Sequence, residues 1–253
     1  MTRPLLVNFA RAPGATAAGD QRPVLLCLPQ AGSGCGQFRC WQRLAGQAVT
    51  VIGVQLPGRE ERWLDPLAES VDEVTAAVAG GLPAVPVVVY GHSFGGLLGY
   101  EIARRLGLLG RPPRALVVAA CGSPSRWVGA GRDLLNDEAE QARLLAANGV
   151  DSADLDADLR ELAAETLRAD ALLSMTFRLS ARPQVDCEIH AWGGDADGVV
   201  TASQVGEWRG YSSADVHVET FPGGHQFAFE HVDEIVPRLV RLCISGTPLK
   251  EGA

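Results

Sequence analysis

The 253-residue chain has no lysine-rich or arginine-rich block, and its formal net charge is −8. That balance excludes an overall electrostatic affinity for nucleic acid or for anionic membrane. It also has no C-x-x-C pair: Cys27, Cys35, Cys40, Cys121, Cys187 and Cys243 are scattered along the chain. Without a secretion signal they read as reduced and mostly structural. The opening MTRPLLVNFARAPG has only a brief apolar run, interrupted by Asn8 and Arg11, which argues against a signal peptide, and a cytoplasmic location is expected. The window 74–100 lacks Asp, Glu, Lys and Arg altogether. It still does not read as a membrane span, because Pro83 and Pro86 break any helix there and a buried parallel strand is apolar on both faces.

No internal repeat or low-complexity linker divides the sequence, so one domain spanning 1–253 is expected. Hydrophobic residues at 47% and charged residues at 21% describe an ordinary globule. Strands are predicted at 24–29, 49–56, 86–90, 115–120, 188–192 and 216–221. A helix is predicted at 70–81, opened by Ser70 with Glu73 three residues on. Another is predicted at 95–106, with Arg104 and Arg105 near its end and Gly107 closing it. This alternation implies an α/β fold with a mainly parallel sheet covered on both faces. From about 125 to 180 no strand pattern appears. NDEAEQARLLAANG, capped at Asn136 and ended by Gly149, and then DLRELAAETLRADALLSMTF read as helices. Such an insertion is decoration or a lid; the lid is favoured because ligands bind at the strand C-termini.

The run VVVY leads into GHSFGG and then GLLGYEIARRL, which places G-x-S-x-G at 91–95 between a strand and a helix. That is the setting of a nucleophile elbow, with Ser93 as nucleophile and the Phe94 N–H as an oxyanion donor. Five histidines are candidates for the base. His92 lies inside the elbow, its side chain pointing away from Ser93. For His190 and His217 in strands, and His231 in the last helix, core packing or solvation suffices. His225 follows VHVETF in the loop PGGH, which can return an imidazole over the elbow. EIHAWGGDADGVV offers Asp195 and Asp197 as the acid, and Asp197 fits G-x-x-D-x-x-V with Gly194 and Val200 in place. The D-A-D-G run lacks the remaining positions of a calcium loop, so no metal site is expected. Ser93, Asp197, His225 is the chain order of α/β-hydrolases.

The glycine-rich stretch VLLCLPQAGSGCGQF fails as a dinucleotide loop. Gln37 stands where a third glycine belongs, and Gln55 stands where an acidic residue should end the next strand. In a serine hydrolase it supplies instead the second oxyanion donor, a backbone N–H at Gln30 or Ala31, worth about 3 kcal/mol of barrier.

With these residues in place, the chain from Val24 to Leu242 resembles the type II thioesterases, editing enzymes of polyketide and non-ribosomal peptide synthetases. LPQAGSG, LPGREERW, GHSFGG, LRADALLSMTF and FPGGHQF are similar to that family's motifs. Gln30 stands where the family has His, and Ser33 where it has Gly. The strand ending ALVVAACGSPS carries no acid, which favours Asp197 and the free-standing type. The resemblance implies an α/β-hydrolase fold with a helical lid. It further implies hydrolysis of stalled acyl groups from the phosphopantetheine of acyl or peptidyl carrier proteins, with no cofactor, by a monomer. Arg59, Glu60, Arg62 and Trp63 would line the arm's entrance or brace their loop. A general carboxylesterase and a non-catalytic carrier-binding partner are the alternatives.

Overall fold

The computed structural model describes residues 5–10, 20–150 and 155–245. Residues 1–4 and 11–14 of the N-terminal stretch, and 151–154 of the insertion, lie outside them. The strands are β1 (Leu6–Asn8), β2 (Val24–Leu28), β3 (Thr50–Val54), β4 (Val87–His92), β5 (Ala115–Ala119), β6 (Glu188–Gly194) and β7 (Val216–Phe221). They form one sheet in the order β1-β3-β2-β4-β5-β6-β7. β1 runs antiparallel to β3, and every other neighbouring pair is parallel.

β1 was not expected: three half-buried residues are too short a run to show an alternation. β4 and β6 run two residues beyond expectation. Glycine is a weak strand former, yet Gly91 pairs with Leu28 and Gly194 with Phe221, so the ladder carries both strands on.

The helices are α1 (Arg39–Ala45), α2 (Val71–Gly81), α3 (Phe94–Leu108), α4 (Asp133–Asn136), α5 (Glu138–Ala147), α6 (Ala157–Met175), α7 (Ala202–Gly206), α8 (Phe227–Glu230) and α9 (Val232–Ser245). Strand side chains alternate between two buried layers. Leu26, Val89, Leu116 and Ile189 face α2 and α3. Leu25, Val88, Val117 and Trp192 face α1 and α9, where Phe38, Trp41 and Leu239 are fully buried. Ser70 caps α2, its Oγ accepting the Glu73 N–H at 3.1 Å. Gly107 does not close α3. Gly110, at φ +71°, does, with the Arg111 N–H reaching the Leu106 carbonyl at 3.0 Å. Asp137, not Asn136, caps α5, because its carboxylate accepts from the Ala139 and Glu140 N–H groups while Asn136 is the last residue of α4. His231 sits at the break between α8 and α9 and not inside the last helix.

The strand order places the site. From β2 the chain passes to β3 on one side and then to β4 on the other, so a topological switch point lies between β2 and β4. Ligands bind in the crevice beyond the C-terminal ends of such strands. The loop after β2 and the elbow after β4 meet there. α4, α5 and α6, inserted between β5 and β6, pack over them, with Leu167 of α6 against Gly32. Among the described residues no helix is long and apolar enough to cross a membrane, and the uncharged window falls on α2, β4 and the start of α3.

Candidate active site

Ser93 sits between β4 and α3 at φ 51°, ψ −118°, a backbone that an L-residue adopts only when its surroundings force it. The Ser93 N–H donates to the Ala119 carbonyl at 2.8 Å, and the Gly96 N–H donates to the Ser93 carbonyl at 2.8 Å. Side chains are excluded on both flanks. A Cβ at Gly91 would fall on the Gly95 carbonyl, and one at Gly95 would meet the Leu28 carbonyl. Strand and helix therefore approach closely enough to lift Ser93 out of the sheet.

His225 lies in the loop after β7, and its Nδ1–H donates to Asp197 Oδ2 at 2.9 Å. Both side chains are almost wholly buried. Asp197 Oδ1 accepts the Val199 N–H at 2.7 Å and the Val200 N–H at 3.0 Å. Burial alone would raise the Asp197 carboxyl. The hydrogen bond and charge of His225 and the two backbone donors outweigh it and hold the carboxyl below its ordinary value. With Nδ1 committed to Asp197, Nε2 presents its lone pair; it is buried and has no hydrogen-bond partner among the described residues.

His92 is buried and fully engaged. Its Nε2–H donates to the His225 carbonyl at 2.8 Å, and its Nδ1 accepts from the Tyr90 hydroxyl at 3.2 Å. Burial, reinforced by the charge of neighbouring His225, pushes the imidazole down to about 3, so His92 stays neutral and can make both bonds. Asp195 braces the other side, accepting the Gly223 N–H at 2.9 Å. The two aspartates thus serve different parts of one loop pair.

The loop after β2 is held from the insertion. Asp170 of α6 pairs with Arg59 through two hydrogen bonds, at 2.6 and 2.7 Å, and Asp170 Oδ2 also accepts the Gly32 N–H at 2.8 Å. Asn148, after α5, donates to the Ala31 carbonyl at 3.0 Å. Glu60 accepts from the Gly36 N–H at 3.1 Å, and Arg62 donates to Asp65 at 2.7 Å and to the Gln55 carbonyl at 3.1 Å. Arg59, Glu60 and Arg62 brace their loop, leaving Trp63 exposed. Gln30 is buried, and its side chain accepts from Gln37 at 3.2 Å.

A cavity of about 310 Å³ opens beside Ser93, lined by Ala31, Phe94, Trp127, Leu144, Asp170 and Val200 among others. Ala31 and Phe94 border it from opposite loops; Gln30 does not. The structure offers a serine on a strained turn, an imidazole with an open Nε2 and a carboxylate behind it, and backbone N–H groups at Ala31 and Phe94 beside the cavity. Such a set suits acyl transfer through a covalent intermediate. Residue patterns missed Asp170 and Asn148, of which only Asp170 left a trace, in the LRAD segment, and they set His92 aside without its bond to the His225 carbonyl.

A family model for the thioesterase domain matches residues 23–243. AMB antimetabolite synthetase AmbE of Pseudomonas aeruginosa is 32% identical over 240 residues, 92% of this chain, which spans only 11% of AmbE. Gramicidin S biosynthesis protein GrsT of Aneurinibacillus migulanus is 31% identical over 219 residues, covering 84% of this chain and 85% of GrsT. The solved structure of the type II thioesterase BorB from the borrelidin biosynthetic cluster is similar at a TM-score of 0.79 and 29% identity. That match covers 96% of this chain and 100% of BorB.

Proposed function

The chain belongs to the thioesterase family and is a thioester hydrolase of serine-hydrolase type; from that premise we propose that Ser93, His225 and Asp197 hydrolyse acyl groups from the phosphopantetheine arm of carrier proteins. His225 Nε2 takes the Ser93 hydroxyl proton as Oγ attacks the thioester carbonyl. The Phe94 and Ala31 N–H groups hold the oxyanion, with Ala31 preferred to Gln30 because it borders the cavity. Collapse expels the carrier thiolate, which leaves with the proton from His225. Water deprotonated by His225 then attacks the acyl-enzyme and releases the acid. No cofactor enters these steps. The phosphopantetheine belongs to the carrier.

The observation that carries this reading is the buried Asp197–His225 pair at 2.9 Å, clamped through the His225 carbonyl to His92, the residue next to Ser93. The type II thioesterase BorB, matched over its whole length, supports a type II thioesterase role in a biosynthetic pathway. α4, α5 and α6 would form the lid. The cavity lies near the small end for ligand pockets, which favours short acyl groups.

The test follows intact acyl-carrier protein by mass spectrometry with wild type and Ser93→Ala. Acetyl, propionyl, longer acyl and aminoacyl loads are compared beside a simple oxygen ester. Loss of short acyl groups only with wild type, faster than ester cleavage, supports the reading. A carrier that stays loaded while the ester is cleaved makes the protein a carboxylesterase. No turnover of either substrate overturns the proposed carrier-bound substrate.

A further inference from the structure

Residue patterns left His190 and His217 to core packing or solvation and expected no metal; the geometry points elsewhere. We propose that Glu188, His190 and His217 form a transition-metal site of zinc type at the N-terminal ends of β6 and β7, the opposite end of the sheet from Ser93. This inference does not depend on the proposed substrate.

Strand geometry makes the set. Glu188 and His190 are two residues apart on β6 and so project from one face. The parallel ladder places His217 directly beside His190. That face is the α1 and α9 layer, with Trp192 and Phe221 further along it. One donor atom from each of the three side chains lies within 4.8 Å of the others, and His190 Nε2 is 3.7 Å from Glu188 Oε2.

The second observation is unmet hydrogen bonding. His190 is fully buried, and neither of its ring nitrogens has a hydrogen-bond partner among the described residues. His217 Nε2 is buried and equally unpartnered. The two imidazoles stack at 4.8 Å with 25° between their planes, an arrangement that packs carbon well but satisfies no nitrogen. Buried polar atoms without partners are rare, because removing them from water costs free energy that nothing returns. A metal ion would return it for one His190 nitrogen and for His217 Nε2.

The donor chemistry selects the ion. Two neutral imidazoles and one carboxylate suit zinc, nickel or copper, whereas calcium and magnesium require a shell of oxygens. Tetrahedral zinc with bonds near 2.0–2.1 Å needs its donors about 3.3 Å apart, so the cluster must tighten. Glu188 and His217 are only half-buried and can swing, while His190 is fixed by its packing. Three protein ligands leave the fourth position to water. Such an ion would fasten the edge strand β7 to β6, and β7 leads directly into the loop that carries His225.

The test titrates chelator-stripped full-length protein with Zn²⁺ by calorimetry, and with Co²⁺ by visible absorption, alongside His217→Asn, Glu188→Gln and His225→Ala. The expected result is one Zn²⁺ per chain and a four-coordinate cobalt spectrum. A rise in melting temperature with Zn²⁺ should accompany them, as ligand linkage requires. His217→Asn and Glu188→Gln, both at half-buried positions and checked for folding by metal-free melts, should each weaken binding by at least about tenfold. His225→Ala should leave it unchanged. Absence of saturable Zn²⁺ binding by the wild type overturns the site, as does binding retained by both ligand variants. Loss with His225→Ala alone would relocate the ion to the Ser93 cleft and overturn it too.

Discussion

Asp195 and Asp197 stand two positions apart and face different partners. Asp197 receives the His225 imidazole, while Asp195 receives the Gly223 N–H. Asp197→Asn keeps the volume but removes the charge that fixes the Nδ1–H tautomer, so kcat is expected to fall by about 10³–10⁴. Asp195→Asn keeps an acceptor oxygen and is expected to cost less than about tenfold. Steady-state kinetics on one acyl-carrier substrate checks both; equal losses would mean that the loop pair, and not Asp197, limits the reaction. Space is the second residue-scale constraint. Gly95→Ala drives a methyl onto the Leu28 carbonyl, which is backbone and cannot step aside. Little soluble protein is expected from that variant, whereas Gly80→Ala, with open space around its Cβ position, should express normally.

Among elements, the decisive contact joins α6 to the loop after β2. Asp170 serves Arg59 and Gly32 at once, so the helix of the insertion sets the backbone that carries Ala31. Arg59→Ala strands a carboxylate in a buried site, and a loss of about 3–5 kcal/mol is expected in urea melts. The pair Arg59→Met with Asp170→Leu removes both charges and should recover most of that stability. It leaves the Gly32 N–H without its acceptor, so kcat should stay low although the fold returns. Full recovery of kcat in the double variant would make the ion pair structural alone.

For the whole molecule, acid stability has a named contributor. Burial pushes the folded His92 imidazole down to about 3, from 6.5 for an ordinary imidazole. Between those values the unfolded chain binds the proton and the folded chain does not, so stability falls as pH falls, by about 1 kcal/mol per pH unit. The groups facing His92 are the Tyr90 hydroxyl, His225 with Asp197 behind it, and the rings of Phe227 and Phe229. Urea melts from pH 7 to pH 4 should show a shallower slope for His92→Gln than for wild type. Equal slopes would place the acid sensitivity elsewhere.

Much of this was legible in the residues because it is local. Six strands and the elbow follow from apolar runs, glycine spacing and turn chemistry, all written within a few neighbouring positions. Asp197 and His225, which motifs of the same short range proposed with Ser93, are paired in the structure. What the sequence could not carry was contact between distant segments. The Arg59–Asp170 pair joins positions 111 residues apart, and the His92–His225 bond joins positions 133 apart. β1 has no pattern of its own and exists because β3 offers it an edge. His190 and His217 read singly as core histidines, and only the parallel register of β6 and β7 makes them neighbours. Local stereochemistry determined the elements and the reactive types. The sheet's order, which brings remote loops to one crevice and remote histidines to one face, was decided by tertiary packing.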